Sequence, residues 1–457
     1  MKNERRLFGT DGVRGIANKY PMDSATALKL GQAVAHVFRK ANGLNRIVVG
    51  KDTRRSGYLL ESALVSGICS MGMDAMLLGP LPTPGIAFIS HSMRARAGVM
   101  VSASHNPVEY NGIKFFDNQG FKLPDSMEAG MEELVFSGVL DEHRASSQDV
   151  GKAYRIDDAS GRYIQYLKGT FPQNLTLDGL KIVVDCANGA GYKIAPMVLD
   201  ELGADVIPVA VLPDGLNINV GSGALHPHNM ARLVRERGAD LGIALDGDAD
   251  RVIMCDSLGN ILDGDSILAI CAIHLNKKGM LAKNTIVGTK MSNMGLELSL
   301  AERDIKLVRT EVGDRYVMEA MRREGYNLGG ENSGHIIFLH HTTSGDGTLA
   351  ALRVLSIMCQ RGQPLSKICE DFTLLPQTIK NVRVMEKRPL GEMPSVARAI
   401  EDVDAKLSGK GRLLVRYSGT ENIARVMVEG EDAIAIEKWA CEIADAITAE
   451  IGTEVRC

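Results

Sequence analysis

Three aspartates lie at alternate positions in one short segment of the sequence, GIALDGDADRVIMCD. They are Asp246, Asp248 and Asp250, and single small residues separate them. In an extended segment, alternate side chains point to the same side, which predicts that the three carboxylates converge. Close carboxylates repel one another unless a cation lies among them. Oxygen ligands favour magnesium or calcium over zinc, so the segment indicates a site for a hard divalent cation.

Two other interpretations of these and nearby aspartates can be tested on the sequence. Counting from Asp246, a calcium-binding loop needs glycine in the sixth place, where this chain has Arg251. It also needs glutamate in the twelfth place, where the chain has Ser257, so that interpretation fails. A second pair, Asp263 and Asp265, precedes an apolar helix, where aspartate caps free backbone N–H groups. We therefore assign that pair to capping.

A second segment, VMVSASHNPVEYNGIKFF (residues 99–116), presents a serine just after an apolar strand. Ser104 is followed by His105, Asn106 and Pro107. Ligands of open α/β sheets bind at the carboxyl ends of strands, where a serine can act as a nucleophile or carry a phosphoryl group. Small and polar residues before a proline also form ordinary turns. The residues alone leave both interpretations open.

A third segment, GGENSGHIIF (residues 329–338), places polar side chains between glycines. Glu331 and Ser333 are groups that suit sugar hydroxyls. His335 follows at the start of an apolar strand, where the residues alone favour a buried and hydrogen-bonded histidine over a functional one. The segment is a weak indication of a sugar-binding loop when it is taken alone.

The fourth segment, RYSGTENIAR (residues 416–425), combines a tight turn with two arginines. Ser418, Gly419 and Thr420 can turn their backbone N–H groups inward to form an anion-binding nest. Arg416 and Arg425 add guanidinium groups that bind phosphate in a bidentate manner. An ordinary hairpin turn is the alternative, but the two arginines favour an anion site.

A repeated plan of strand, small-residue loop, helix and strand organises most of the chain. It starts at RIVVG (residues 46–50), KIVVD (residues 181–185) and NTIVG (residues 284–288). This plan predicts parallel βαβ units with helices on both faces of each sheet. From about Asn381 the pattern changes to that of a small α+β domain. We predict four domains, at residues 1–152, 153–258, 259–374 and 375–457, with the polar stretch at residues 141–151 as a linker.

The composition excludes some partners and compartments. Lys and Arg number 52 against 56 Asp and Glu, a net charge of −4, and a nucleic-acid-binding protein would usually carry a basic excess. No apolar run approaches the roughly 18 residues that span a bilayer, so we expect no membrane insertion. The N-terminus is charged and lacks the apolar core of a signal peptide. Eight scattered cysteines without CxxC spacing favour reduced thiols and a cytoplasmic location.

The order of the four segments resembles that of the α-D-phosphohexomutase superfamily. SASHNP, DGDADR, GENSGH and RxSGTE occur one per predicted domain, and the opening FGTDGVRG is similar as well. The stretches GKAYRIDDASGRYIQYLK, VVDCANGAGYKIAP, PDGLNIN and PQTIKNVRV are similar to the branch of bacterial enzymes that act on glucosamine phosphates. The resemblance covers the whole chain. It implies three similar layered α/β domains and a C-terminal α+β domain around a central cleft.

The resemblance also implies a role for each site residue. Ser104 would carry the phosphoryl group and, through a phosphate oxygen, join Asp246, Asp248 and Asp250 in holding one Mg²⁺ ion. Lys114 and His335 would transfer protons. The expected substrate- and phosphate-binding residues are Thr10, Arg14, Arg251, Glu331, Ser333, Arg416, Ser418, Gly419, Thr420 and Arg425. The last segment departs from the family pattern, because Asn422 stands where the family has proline and Tyr417 is bulkier than usual.

The implied reaction is the interconversion of glucosamine 6-phosphate and glucosamine 1-phosphate, with glucosamine 1,6-bisphosphate as intermediate and activator. Its product would feed amino-sugar synthesis for the cell wall. The expected partner is a small sugar phosphate, and a homodimer is one assembly open to the chain. Phosphoglucomutase or phosphomannomutase specificity, a metal-dependent sugar phosphatase and a non-catalytic sugar-phosphate sensor are the alternatives that the sequence leaves open.

Overall fold

The computed structural model of the chain describes residues 6–9, 11–418 and 422–453. These residues form two compact units. The first lies within residues 1–291 and 305–371, and the second within residues 292–304 and 372–457. None of the helices in the described ranges combines the length and the apolar character that a bilayer crossing requires.

The first unit begins with a six-stranded sheet, called the first sheet. Its strands are β1 (Val13–Ile16), β2 (Arg46–Lys51), β3 (Asp74–Pro80), β4 (Ala97–Val101), β5 (Tyr110–Asp117) and β6 (Ala153–Arg155), and its helices are α1 (Ser24–Phe38), α2 (Ser56–Ser70), α3 (Thr83–Ser92) and α4 (Asp125–Ser137). The strand order is β1-β5-β4-β2-β3-β6. Strands β2, β3, β4 and β6 are parallel, so the carboxyl ends of β2, β3 and β4 share one edge.

Helices α1 and α2 pack closely because glycines lie where they meet. A Cβ atom on Gly67 of α2 would lie 2.1 Å from the carbonyl oxygen of Leu28 in α1. On the other helix, a Cβ atom on Gly31 would lie 2.3 Å from the carbonyl oxygen of Leu64. This packing fixes α2 and therefore the loop between β2 and α2, which contributes to the candidate site.

The second sheet repeats the plan with five strands. They are β7 (Lys181–Asp185), β8 (Asp205–Val209), β9 (Leu241–Leu245), β10 (Val252–Asp256) and β11 (Ile261–Leu262), and the accompanying helices are α5 (Ala159–Thr170), α6 (Ile194–Glu201) and α7 (Pro227–Arg237). The order is β11-β10-β9-β7-β8, with β7, β8 and β9 parallel. Strand β9 is buried along its whole length, which explains its unbroken run of apolar residues.

The third sheet has four strands. They are β12 (Thr285–Thr289), β13 (Lys306–Thr310), β14 (Leu328–Gly330) and β15 (Ile336–Phe338), and the helices of this stretch are α8 (Gly264–Lys277), α9 (Met294–Ala301), α10 (Asp314–Glu324), α11 (Gly347–Arg361) and α12 (Leu365–Ile368). The order is β13-β12-β14-β15. Helix α9 belongs to the second unit. Asp263 accepts a hydrogen bond from the Ser266 N–H (2.9 Å) and caps α8, as the sequence predicts.

The second unit contains a small antiparallel sheet. Its strands are β16 (Gln377–Arg383), β17 (Arg412–Tyr417) and β18 (Ile423–Glu429) in the order β16-β18-β17, and its further helices are α13 (Pro394–Leu407) and α14 (Ala433–Ile451). Buried side chains of β18 and α14, among them Val426, Val428, Ile443 and Ile447, form its core. Asp432 caps α14 by accepting from the N–H groups of Ile434 and Ala435.

The predicted fold class is confirmed: three layered α/β arrangements are followed by a smaller C-terminal one. The three repeats seen in the sequence become the strand pairs β2–β3, β7–β8 and β12–β13, each parallel. Strand β6, at residues 153–155, pairs with β3 and so extends the first sheet. The domain boundaries given above stay predictions.

Candidate functional site

Ser104 lies in a short loop beyond the carboxyl end of β4. Its backbone adopts the left-handed conformation (φ 51°), which turns the side chain away from the direction of the strand. The side chain is buried, and its Oγ donates a hydrogen bond of 2.6 Å to Oδ2 of Asp246. The serine and the aspartate segment, which the sequence separates by 142 positions, therefore meet directly.

Arg54, from the loop between β2 and α2, holds the serine loop in place. Its guanidinium donates to the carbonyl oxygens of Ser104 (3.0 Å), Asn106 (2.8 Å) and Pro107 (2.6 Å). Arg54 is fully buried, so its guanidinium relies on protein acceptors to satisfy its N–H groups. The Nδ2 of Asn219 donates to the same Ser104 and Asn106 carbonyl oxygens. We call this arrangement the loop clamp.

A buried carboxylate completes the loop clamp. Asp52 accepts hydrogen bonds from Arg54 Nε (2.9 Å) and from Ser102 Oγ (2.6 Å). Ser102 Oγ in turn accepts from the backbone N–H of Ser104 (3.0 Å). Burial raises the pKa of Asp52, and the pairing with Arg54 opposes that rise. Charge-assisted hydrogen bonds of this kind give the loop a fixed geometry.

Asp246, Asp248 and Asp250 converge, as predicted, but for a different reason. Each offers a carboxylate oxygen, and these oxygens lie within 4.8 Å of one another. The segment is not extended: it forms a turn after β9, in which Ala249 has a left-handed backbone (φ 57°). The prediction of alternation in an extended segment was therefore wrong, because the turn, not the period of a strand, directs the three side chains.

The charge on the three aspartates fits a cation. Asp248 Oδ1 and Asp250 Oδ1 are buried without a hydrogen-bond partner in the described part of the chain. Burial, and then repulsion from Asp250 and Asp248, raise the pKa of Asp246 well above its usual range. Two unsatisfied oxygens and a repelling carboxylate are the features that a hard divalent cation would compensate.

Lys114, on β5, lies among carboxylates. Its Nζ is 3.0 Å from Asp248 Oδ2, 3.1 Å from Asp11 Oδ2 and 3.8 Å from Asp250 Oδ2. Burial favours the neutral amine, but these three carboxylates outweigh it and raise the pKa of Lys114 above its ordinary value. The surroundings therefore favour a protonated Lys114 that donates hydrogen bonds and positive charge. Asp248 Oδ2 also accepts from Thr83 Oγ1 (2.6 Å).

His335 lies on the loop between β14 and β15 and faces the aspartate segment. Its Nδ1 is 3.6 Å from Asp250 Oδ2, and its Nε2 is 3.4 Å from Asp314 Oδ2. The Gly345 N–H also donates to Nε2 (3.0 Å). Burial favours the neutral ring, but Asp250 and Asp314 outweigh it and raise the pKa of His335. His335 is buried and also lies beside the aspartate segment. A buried histidine and a histidine of the candidate site are therefore compatible interpretations.

Glu331 and Ser333 lie on the same loop as His335. Glu331 Oε1 accepts from the N–H of Gly313 (3.1 Å). The loop packs against the aspartate segment, since the Gly334 carbonyl accepts from the N–H of Val252, the first residue of β10. Ser333 Oγ is buried and lacks a hydrogen-bond partner among the described residues, so its hydrogen-bonding capacity is unused there.

Arg14 and Arg251 add positive charge near Ser104. Arg14 Nη1 donates to Asn106 Oδ1 (3.0 Å), and Arg14 Nη2 pairs with Asp11. Burial opposes the charge of Arg251, but Asp250 and Asp246 outweigh it and raise its pKa further. Burial, then Arg251 and Arg14, lower the pKa of His105 to about 4. His105 is therefore neutral at pH 7, and its Nδ1 lies 3.4 Å from Ser104 Oγ.

The second unit holds the predicted anion-binding segment. Arg416 on β17 and Arg425 on β18 are directly opposite each other in the antiparallel pair. Residues directly opposite each other share one face of the sheet, so both guanidinium groups start from the same face. Lys387 Nζ donates to the Ser418 carbonyl (2.7 Å) and adds a third basic group. Gly419 and Thr420, like Thr10 in the first unit, lie outside the described residues.

Several residues of the site were not identified from the sequence. Asp52 and Arg54 lie in KDTRRSG after β2, and Thr83 follows β3, so both stretches leave the same sheet edge as Ser104. That shared edge is the signal that could have found them. Asp11 and Asp314 carry no comparable signal, because only the folded chain brings them to Lys114 and His335.

Four domain families match the chain in order. They are the phosphoglucomutase/phosphomannomutase α/β/α domains I, II and III and the C-terminal domain of the same family, at residues 5–140, 161–259, 263–375 and 379–446. The matched stretches cover most of the chain.

Curated relatives are similar over the full length. Phosphoglucosamine mutase from Geotalea daltonii is 57% identical over 448 residues, which are 98% of this chain and 99% of that protein. Phosphoglucosamine mutase from Myxococcus xanthus is 57% identical over 444 residues, 97% of each chain.

Solved structures share the fold at lower identity. A phosphoglucomutase/phosphomannomutase family protein from Burkholderia thailandensis superposes with a TM-score of 0.78 at 23% identity, over 97% of both chains. N-acetylphosphoglucosamine mutase from Aspergillus fumigatus, solved with GlcNAc-6P and magnesium, gives a TM-score of 0.66 at 20% identity. It covers 97% of this chain and 95% of its own.

The loop clamp predicts a specific effect of Arg54→Lys. Lysine keeps the charge but loses the planar fork of donors, so it cannot satisfy three carbonyl oxygens and Asp52 together. We expect the free energy of unfolding to fall by about 3 kcal/mol. Amide exchange at residues 102–107, followed by mass spectrometry, should become faster. Arg55→Lys, at the exposed neighbouring position, is the control, and equal exchange in the two variants would contradict the loop clamp.

Proposed function

This chain belongs to the phosphoglucomutase/phosphomannomutase family, and we propose that it interconverts glucosamine 6-phosphate and glucosamine 1-phosphate through a phosphoserine at Ser104. It is an enzyme of the isomerase class, an intramolecular phosphotransferase, as the resemblance of its four segments predicts. Full-length relatives at about 57% identity that are named phosphoglucosamine mutase support the choice of sugar. The contact of 2.6 Å between Ser104 Oγ and Asp246 is the observation that carries the proposal.

That contact requires additional positive charge once Ser104 is phosphorylated. A phosphoryl group on Oγ would place a dianion beside Asp246, Asp248 and Asp250. The arrangement is stable only with compensating positive charge, which Lys114 and Arg251 supply in part. We propose that one Mg²⁺ held by the three aspartates supplies the rest, and when bound it neutralises charge on the transferring phosphoryl group.

In the proposed reaction, phosphoserine donates its phosphoryl group to the free hydroxyl of the sugar phosphate. The P–O bond to Ser104 breaks, a P–O bond to the sugar forms, and the hydroxyl proton leaves to a base. The product is glucosamine 1,6-bisphosphate, whose other phosphoryl group then returns to Ser104. Phosphoryl transfer of this kind depends mainly on positioning and on charge neutralisation.

The chain offers distinct groups for the protons and for the phosphate. His335 is the better candidate for moving the hydroxyl proton, because an imidazole titrates nearer to neutral pH than an amine does. Lys114, held protonated by three carboxylates, would donate to a phosphoryl oxygen. Glu331 and Ser333 would bind sugar hydroxyls from the loop that carries His335.

The phosphate that does not react needs its own site. We propose Arg416, Arg425 and Ser418 of the second unit, with Gly419 and Thr420, for that role. The positions of the two arginines on β17 and β18 support it, since guanidinium groups on one face of a sheet can bind a phosphate in a bidentate manner. Thr10, Arg14 and Arg251 would contact the reacting phosphate.

We also propose a cytoplasmic location. Seven cysteines in the described part of the chain are free thiols, which is typical of a reducing compartment. Intracellular sugar phosphates would be available to the enzyme there.

Asp246→Asn should change stability in opposite directions with and without magnesium. Without metal, the neutral side chain removes carboxylate repulsion, so we expect a higher unfolding temperature than in the wild type. With magnesium at about 100 times its dissociation constant, the wild type should gain about 2.7 kcal/mol and the variant far less. Asp141→Asn, at an exposed carboxylate, is the control in a thermal melt. A magnesium shift that survives Asp246→Asn would contradict the proposed ligand set.

The function itself is tested by substrate comparison together with Ser104→Ala. Wild-type enzyme should acquire one phosphoryl group from glucosamine 1,6-bisphosphate, mapped by mass spectrometry to Ser104. Ser104→Ala should acquire none and lose about 10³-fold or more of the kcat. Ser62→Ala, at an exposed serine of α2, is the control for both measurements.

Turnover of glucosamine, glucose and mannose phosphates by the wild type decides the specificity. We expect the highest kcat/KM with glucosamine phosphate. A higher value with glucose or mannose phosphate would assign a sister mutase. Release of inorganic phosphate at the rate of isomerisation would assign a phosphatase instead.

A further inference from the structure

Six charged or ionisable side chains form a closed ring in the first unit. In order around the ring, they are Lys114, Asp11, Lys122, Asp314, His335 and Asp250, and Asp250 returns to Lys114. Three carboxylates alternate with two ammonium groups and one imidazole, so each carboxylate lies between two groups that can carry a positive charge. We call this arrangement the charge ring.

The contacts around the charge ring range from 2.5 Å at Lys122 to 3.8 Å between Lys114 and Asp250. Lys122 Nζ lies 2.5 Å from Asp11 Oδ1 and 2.5 Å from Asp314 Oδ2. Asp11 Oδ2 lies 3.1 Å from Lys114 Nζ, and Asp314 Oδ2 lies 3.4 Å from the Nε2 of His335. The side chains are at most about a quarter exposed, Asp11 being the most open at 24%. Water therefore screens these pairs much less than pairs on an open surface.

The charge ring joins the three sheets of the first unit. Asp11 precedes β1, and Lys122 follows β5 of the first sheet. Asp250 follows β9 of the second sheet. Asp314 is the first residue of α10, and His335 precedes β15 of the third sheet. One half of the ring (Lys114, Asp250 and His335) has roles in the proposed reaction, whereas Asp11, Lys122 and Asp314 have none.

We propose that Lys122 and Asp314, with Asp11, are positioning residues that set the placement of Lys114 and His335 relative to each other. The inference rests on the proposed function, because it concerns two residues of that reaction. Lys122 contacts neither of them directly. It neutralises the carboxylates Asp11 and Asp314, and each of these contacts one of the two.

Loss of one member would leave its neighbours unbalanced. Without the Lys122 ammonium, Asp11 and Asp314 become buried carboxylates with too little positive charge, and each then draws Lys114 or His335 towards itself. Phosphoryl transfer is sensitive to displacements of about 1 Å, which can cost about 100-fold in rate. The effect should fall on kcat, since Lys122 and Asp314 hold residues of the chemical step.

The test compares Lys122→Met, Lys122→Arg, Asp314→Asn and the double variant Lys122→Met/Asp314→Asn. We expect kcat to fall by about 10- to 100-fold in each neutralised variant, with KM changed by less than about threefold. Lys122→Arg keeps the charge and should retain most of the wild-type kcat. The double variant should lose no more kcat than the less active of the two single variants, because both changes break the same ring.

Lys168→Met is the matched control. Lys168 also forms a salt bridge with a carboxylate, Glu201, at 2.5 Å, but lies outside the charge ring. This variant should keep the wild-type kcat. If Lys122→Met and Asp314→Asn also keep a kcat within about twofold of the wild type, the ring is only structural and the inference is overturned.

A second measurement separates this inference from the proposed function. In protein labelled with ¹⁵N-histidine, the His335 imidazole signals, assigned with His335→Asn, should move in Lys122→Met and stay in Lys168→Met. This readout needs no turnover. Unmoved signals would overturn the charge ring even in an active enzyme. If the wild type isomerises no sugar phosphate but the signals still move in Lys122→Met, only the proposed function is overturned.

Discussion

One hydroxyl lies against three buried carboxylates, and this placement governs the chemistry of the site. Ser104 Oγ lies 2.6 Å from Asp246, and burial together with Asp250 and Asp248 makes the ionised form of Asp246 unfavourable. Such a cluster is costly for folding unless positive charge enters it. The same deficit of positive charge would favour the binding of a cation, and that cation would also compensate a phosphoryl dianion on Ser104.

The surrounding structure keeps that arrangement rigid. The loop clamp satisfies the carbonyl groups of the serine loop with Arg54 and Asn219, and these come from different sheets. In the charge ring, Lys114 and His335 both lie within 4 Å of Asp250. The loop clamp and the charge ring both place charged groups in surroundings of low dielectric constant. A small displacement of one group therefore changes the interaction energies of its partners.

The sequence predicted the parts of the site that consist of local segments. Ser104 and the three aspartates stand out because their residue types occur close together after apolar strands, and the βαβ plan follows from periodicity. The reason given for the convergence of the aspartates was wrong. It assumed an extended segment in which alternate side chains point to one side, whereas the left-handed Ala249 makes the segment turn. The left-handed backbone conformation of a single residue depends on the packing around it, and the sequence of the segment does not reveal that packing.

The sequence could not predict the loop clamp or the charge ring, because both depend on contacts between distant segments. Lys122 and Asp314 are separated by 192 positions, and neither lies in a recognisable motif. Arg54 follows a strand that the sequence predicts, but its three carbonyl partners are about 50 residues away. Such pairings arise only when the sheets are assembled, so they require the fold.

Phosphorus NMR of the enzyme phosphorylated at Ser104 tests the central claim most directly. Paramagnetic Mn²⁺, a hard cation with oxygen ligands like magnesium, would be added in place of it. We expect about one equivalent of Mn²⁺ to broaden the phosphoserine signal beyond detection in the wild type and to leave it visible in Asp246→Asn. A signal that stays sharp in the wild type at one equivalent of bound Mn²⁺ would show that the phosphoserine does not lie beside the cation.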